Sequence, residues 1–269
     1  MRLGFYVAGL LAVVAMGAVP GEGQTHAGFD EAWQDVADLW RRQVEEQGVV
    51  GSSLAFLHPD GELLAFETAG LADEANGRPV TEETIYHWAS ITKTFTGIAI
   101  LQLRDRDRLD LDDPILQYVP ELAAVHDPFG RLSEITIRHL LSHSAGFRAS
   151  TFPWGGGEDW HPHEPADWEQ LVAMLPYTTL LFEPGERFSY SNPGIVFLGQ
   201  VIERLTGEDW EVYVDKNVLR PLGMSRAYFD VTPYHLVDHR SNNYFVQEGR
   251  AEAQGLDFDT GITVSNGGL

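Results

Sequence analysis

Ser90-Ile91-Thr92-Lys93 places a hydroxyl and an amine three residues apart in a stretch that carries no other charge between Ile85 and Leu103. On a helix, three residues is nearly one turn, so the two side chains share a face and can touch. Of the 18 basic residues in the chain, only Lys93 and Lys216 are lysines. An amine can shed its proton when desolvated, whereas a guanidinium stays charged. A serine at the start of a buried helix also meets free backbone N–H groups and the positive end of the helix dipole, which can stabilise an oxyanion and disfavour a proton on the lysine. The pair therefore suits a nucleophile with its base. A helix-capping serine beside a lysine that snorkels to water is the structural alternative.

Tyr190-Ser191-Asn192 is the second group with chemical potential. It lies between Pro184-Gly185 and Pro193-Gly194, hence in a short segment between turns. A phenol beside a cation can relay a proton, and a carboxamide can hold a lysine or a substrate amide. The alternative is a loop tyrosine followed by a turn-forming asparagine.

The elements that must position these groups follow from periodicity. Phe29, Trp33, Val36, Trp40 and Val44 form an apolar stripe on a helix that Gly48 stops. Residues 49–57 read as a strand, His58-Pro59-Asp60-Gly61 as a turn and residues 62–68 as the return strand. Residues 90–103 are apolar on nearly all sides, as a buried helix requires. Asp113-Pro114 is expected to open a short helix that Pro120 closes, and residues 136–142 form another, with Gly146 just beyond. Ile195, Leu198, Val201, Ile202 and Leu205 make a further helical stripe ended by Gly207. Two strands alone do not make a stable sheet, so other strands must complete it.

Composition narrows the function. The 269 residues can bury a large core, and a net charge of -22 opposes binding to nucleic acid or to an anionic membrane surface. Arg2, the apolar run over residues 3–19 and Pro20-Gly21 have the form of a secretory signal, so residues 1–27 are expected to be removed and residues 28–269 to form a secreted or periplasmic domain without stable membrane association. With no cysteine, there is neither a disulfide nor a thiol nucleophile.

The order of several short segments adds a resemblance. Gly70-Leu71-Ala72-Asp73, Gly77-Arg78-Pro79-Val80, Ser90-Ile91-Thr92-Lys93, Leu109-Asp110-Leu111-Asp112-Asp113-Pro114, Leu140-Leu141-Ser142-His143-Ser144-Ala145-Gly146, Pro184-Gly185, Tyr190-Ser191-Asn192 and Pro221-Leu222-Gly223-Met224 occur in that sequence. Together they resemble the serine β-lactamase-related family of class C β-lactamases, D-alanyl-D-alanine carboxypeptidases and esterases. The resemblance implies an α+β fold, an antiparallel sheet flanked by helices with a mostly helical second region. It implies that Ser90 is the nucleophile, that Lys93 accepts its proton, that Tyr190 serves the leaving group and then water, and that Asn192 orients Lys93 and the substrate. The substrate would be a small molecule or peptide with an amide, β-lactam or ester carbonyl, and no cofactor is needed. A non-catalytic scaffold, or one that is acylated without turnover, acting as a binding or sensor protein, is the rival function.

One departure stands out. The family's third motif, a cation followed by Ser or Thr and Gly, is absent after Asn192. Asp259-Thr260-Gly261 has an acid in the first place and reads as a turn before Asn266-Gly267-Gly268-Leu269. The resemblance therefore implies that the third motif, half of the oxyanion hole and the strands completing the sheet lie beyond Leu269. His143 is expected to bond loop backbone rather than act as a base. His161 and His163, near Glu158 and Asp159, could bind zinc in a metal-dependent hydrolase, but no regular element fixes them, and a loop beside the cleft is the favoured reading.

Overall fold

The structure, a computed structural model, describes residues 28–149, 165–247, 250–253 and 261–269. The expected signal segment, the His161/His163 loop and Asp259-Thr260 lie outside the described residues. The described elements are α1 (Phe29–Glu46), β1 (Gly51–Leu57), β2 (Leu63–Asp73), β3 (Arg78–Pro79), α2 (Thr92–Asp105), α3 (Ile137–Leu141), α4 (Trp168–Met174), α5 (Asn192–Thr206), α6 (Trp210–Val214), β4 (Tyr244–Gln247), β5 (Arg250–Ala253) and α7 (Val264–Gly267), joined by several 3-10 turns. This is the mixed helical and antiparallel architecture expected from the sequence.

β1 and β2 pair antiparallel from Gly51↔Gly70 to Leu57↔Leu63, with a bulge at Phe56/Leu57, and β3 adds to β2. Gly61 closes the hairpin turn with φ +93. The chain returns to the far end of β2 after a long excursion, where Asn242 N–H donates to Ala72 O at 2.8 Å and Ser241 N–H to Ile85 O at 2.8 Å. β4 and β5 form a separate hairpin, which the sequence did not announce.

α1 lies against β1 and β2, with the Phe29 and Phe56 rings 5.1 Å apart and Arg41 Nη2 2.7 Å from Glu67 Oε2. It ends where expected, just before Gly48 at φ +65. The apolar stripe is only half used: Trp33 and Ala37 are buried, while Val36 is 49% exposed. A helix laid on a two-stranded hairpin has too narrow a partner to cover the whole stripe.

The main core is helical. α2 buries Phe95, Ala99, Ile100 and Leu103, and α5 buries a continuous run from Pro193 to Gly199 together with Val201 and Ile202. Trp210 of α6 is fully buried and packs edge-on to Phe229, with centroids 5.1 Å apart. Ser191 caps α5, its Oγ accepting from Gly194 N–H at 3.2 Å, and Gly207 ends it in left-handed backbone. α3 carries a capping box between Thr136 and His139.

The expected helix between Asp113 and Pro120 is not α-helical. Pro114 stays extended and bridges Thr136, while Ile115 N–H donates to Ile135 O at 2.8 Å. With Pro114 held extended by its bridge to Thr136, only a 3-10 turn, Ile115–Gln117, follows. Pro120 then opens a second 3-10 stretch, Pro120–Ala124, instead of closing the first.

Two glycines distinguish a close approach from an open turn. A Cβ on Gly70, at φ +72, would sit 2.0 Å from Val50 O, whereas one on Gly77, at φ +64, would meet nothing within 4 Å. Gly70→Ala is expected to destabilise by about 2 kcal/mol or more, through strain and displaced strand backbone. Gly77→Ala should lose only about 1 kcal/mol from its left-handed backbone. Urea midpoints of the two variants would show this ordering, and equal losses would refute it.

Candidate active site

The site forms where the start of α2 meets the segment before α5 and the segment at residues 265–269. A 3-10 turn, Ala89–Ile91, leads into α2, so Ser90 sits in the first turn of a helical run where backbone N–H groups lack intrahelical acceptors. Ala89, immediately before it, has φ +45. A left-handed alanine is strained, and such strain collects where a turn must present a side chain. Ser90 is exposed, while Lys93, one turn on, is half-buried.

Lys93 Nζ donates to Ser90 Oγ at 2.9 Å and to the backbone carbonyl of Asn266 at 2.8 Å. Tyr190 OH donates to Ser90 Oγ at 2.7 Å, and Lys93 Nζ lies 4.9 Å from the centre of the Tyr190 ring. The serine oxygen is thus the meeting point of an amine and a phenol drawn from positions 93 and 190. Burial brings the Lys93 ammonium down from its ordinary 10.5 to about 8. Burial also pushes the Tyr190 phenol up, partly opposed by its bond to Ser90, so the phenol keeps its proton at neutral pH.

Asn192 opens α5, and its N–H donates to Ala149 O at 3.0 Å. Among the described residues its buried Oδ1 has no hydrogen-bond partner, and no bond joins it to Lys93. The second partner of the Lys93 amine is the Asn266 carbonyl. Sequence reasoning missed this contact because a main-chain acceptor 173 residues away has no side-chain signature.

The segment carrying that carbonyl is stitched along α2. Thr96 Oγ1 donates to Ser265 O at 2.5 Å, Leu269 N–H donates to Thr92 Oγ1 at 3.1 Å, and Trp88 N–H donates to Leu269 O at 2.8 Å. On the other side, Gly199 of α5 comes so close that a Cβ there would lie 2.7 Å from Ser265 Oγ. His87 donates from Nε2 to Gly267 O at 2.7 Å.

His143 accepts the Ser191 N–H on Nδ1 at 3.1 Å, the kind of loop bond expected of it. Lys216 lies outside the site, its Nζ 2.5 Å from Glu208 Oε1. Among the described residues no group of three or more His, Asp or Glu is arranged to hold a metal, and no helix is long and apolar enough to cross a membrane.

A family model described as Beta-lactamase matches residues 36–265. Esterase EstB from Burkholderia gladioli is 33% identical over 215 residues, 73% of this chain and 53% of its own length. The octameric penicillin-binding protein homologue from Pyrococcus abyssi superposes with a TM-score of 0.70 at 31% identity, covering 87% of this chain and 52% of that one. A class C beta-lactamase superposes with a TM-score of 0.70 at 22% identity over 87% of this chain and 58% of its own, a likeness of fold. The chain spans about half the length of the curated relatives it matches.

The lowered Lys93 value has a consequence for stability. The unfolded chain keeps its ammonium proton up to about 10.5, while the folded protein releases it near 8. Between those values the unfolded state binds more protons, so stability rises with pH across that window. Lys93→Met removes the titration. Wild type is therefore expected to gain stability relative to Lys93→Met as pH is raised from 8 towards 10.5. Urea midpoints at the two ends would show it, and a constant difference would mean that Lys93 is not desolvated.

Proposed function

The chain belongs to the beta-lactamase family, and from that premise we propose that it is a serine hydrolase working through an acyl-enzyme on an ester, amide or β-lactam carbonyl. The observation that carries this reading is the convergence of Lys93 Nζ and Tyr190 OH on Ser90 Oγ, at 2.9 and 2.7 Å. These are distances at which protons move directly between heavy atoms.

In this reading Ser90 Oγ attacks the carbonyl carbon and its proton passes to the neutral amine of Lys93. With the amine pulled down to about 8, a useful fraction is neutral near physiological pH. The Ser90 N–H, in the first helical turn, donates to the developing oxyanion. Tyr190 gives its proton to the leaving oxygen or nitrogen and is reprotonated from Lys93. Water then attacks the acyl ester, the Tyr190–Lys93 pair takes its proton, and the proton returns to Ser90 Oγ as the acid departs. Asn192, with an unused Oδ1, is assigned to the substrate side. The esterase relative supports an ester among the substrates. The form of residues 1–27 supports action outside the cytoplasm.

A fluorophosphonate is expected to label Ser90. Ser90→Ala should lower kcat/KM on a chromogenic ester by on the order of a thousandfold or more. Lys93→Arg should be comparably damaged although the charge is kept, because a guanidinium cannot accept the serine proton at working pH. An adduct on another residue, or an undiminished rate in Ser90→Ala, would refute the assignment. Near-normal activity in Lys93→Arg would reduce Lys93 to an electrostatic partner.

A further inference from the structure

His143 lies in the turn after α3 in left-handed backbone, φ +54. Three contacts run from this one residue to the segment that carries Tyr190. Its carbonyl accepts Ser189 N–H at 2.7 Å. Its ring Nδ1 accepts Ser191 N–H at 3.1 Å. Its ring lies 4.7 Å from the Tyr190 ring, centre to centre, with the planes inclined by 33°. The peptide N–H groups on both sides of Tyr190 are therefore held by the residue on which the phenol itself rests. Phe188 packs edge-on against the same imidazole, at 5.7 Å.

We propose that His143 is a positioning residue for the reaction at Ser90, a clamp on the backbone of residues 189–191 that holds the Tyr190 phenol at hydrogen-bond distance from Ser90 Oγ. This rests on the reading of Tyr190 as the proton donor given above. The residue type fits the task. Left-handed backbone admits glycine, asparagine and histidine more readily than other residues. Asparagine could offer an acceptor oxygen where Nδ1 stands, but it has no aromatic face for the phenol. Histidine supplies both the acceptor and the face. The acceptor role also requires an imidazole without a proton on Nδ1. Among the described residues, the ionisable groups facing the ring are Lys93 from α2 and Tyr190 from the clamped segment. Burial first, and then the charge of Lys93, hold His143 below its ordinary value, so the acceptor is intact at neutral pH.

Two variants that both tolerate the backbone separate the clamp from a general packing role. His143→Gly relieves the left-handed strain and removes acceptor and ring. His143→Asn keeps an acceptor. On a chromogenic ester, His143→Gly is expected to lose about a hundredfold in kcat with KM little changed, the effect of misplacing a reacting group by about an ångström. His143→Asn should recover about tenfold of that loss through the restored hydrogen bond. The pH profile gives a readout that packing alone would not move. In wild type the acid limb, set first by Lys93, should steepen below pH 6.5 as Nδ1 is protonated and the clamp opens. In His143→Asn it should keep the slope of a single proton. A wild-type kcat in His143→Gly, an asparagine variant no better than glycine, or identical acid limbs would overturn the proposal. If His143→Gly does not fold, the acid limb of His143→Asn decides alone. Ser90→Ala in the same assay separates the two levels. Its loss of activity beside an unaffected His143→Gly sinks only the clamp, whereas full activity in Ser90→Ala sinks the hydrolase reading and the clamp with it.

Discussion

The site depends on one desolvated amine. Lys93 must lie deep enough for burial to weaken its hold on a proton, yet it must keep hydrogen-bond partners in both protonation states, because an unpaired buried amine would be far more costly than a paired one. Ser90 Oγ and the Asn266 carbonyl meet that requirement from two sides. The carbonyl is a main-chain group, so it can be held in place only by fixing the whole segment to which it belongs. That explains why Thr92 and Thr96, on the same helix as Lys93 and fully buried, spend their hydroxyls on residues 269 and 265. It also explains why α5 carries a glycine at 199, where any side chain would push against Ser265.

Strain is placed at the same centre. Ala89 and His143 are two of the four non-glycine residues with positive φ among those described, and both adjoin the residues of the candidate site. Ala89 turns the chain so that Ser90 stands exposed at the head of α2. His143 turns it so that one residue can face the peptide groups on both sides of Tyr190. Such conformations persist only where the surroundings over-determine them. Here the surroundings are the helical core of α2, α5 and α6, the most deeply buried part of the described structure.

What the sequence made legible follows from what side chains encode. The Ser90–Lys93 spacing reports a helical face, and the glycines at 48 and 207 report left-handed stops, so those features stand where the pattern placed them. The bond from Ser90 to Tyr190 was foreshadowed only by residue type, since a separation of 100 positions has no periodicity. The Asn266 carbonyl, the φ of Ala89 and the extended Pro114 were not legible. Each is a main-chain property that no side-chain pattern encodes: the carbonyl is matched to the amine of Lys93, the φ to the turn into α2, and the extension to the bridge with Thr136. The exposed Val36 shows the opposite failure. Its periodicity is that of a buried stripe, but burial requires a partner surface, and the hairpin beneath α1 buries Trp33 and Ala37, covers Phe29, Trp40 and Val44 in part and leaves Val36 exposed.

The acidity of the chain bears on the same amine. Forty carboxylates against 18 basic side chains would, at short range, favour the charged form of any lysine. Lys93 shows no such influence, and the fall in its titration point is due to burial. The sequence keeps every carboxylate out of residues 85–103, and Glu208 is spent on the other lysine, Lys216. A carboxylate within about 4–6 Å of Nζ would oppose the effect of burial, drawing the amine back towards its ordinary value and making it a weaker proton acceptor at neutral pH. The apolar character of the segment around Lys93 therefore has two functions. It packs α2 into the core, and it keeps negative charge away from the lysine that meets Ser90 Oγ.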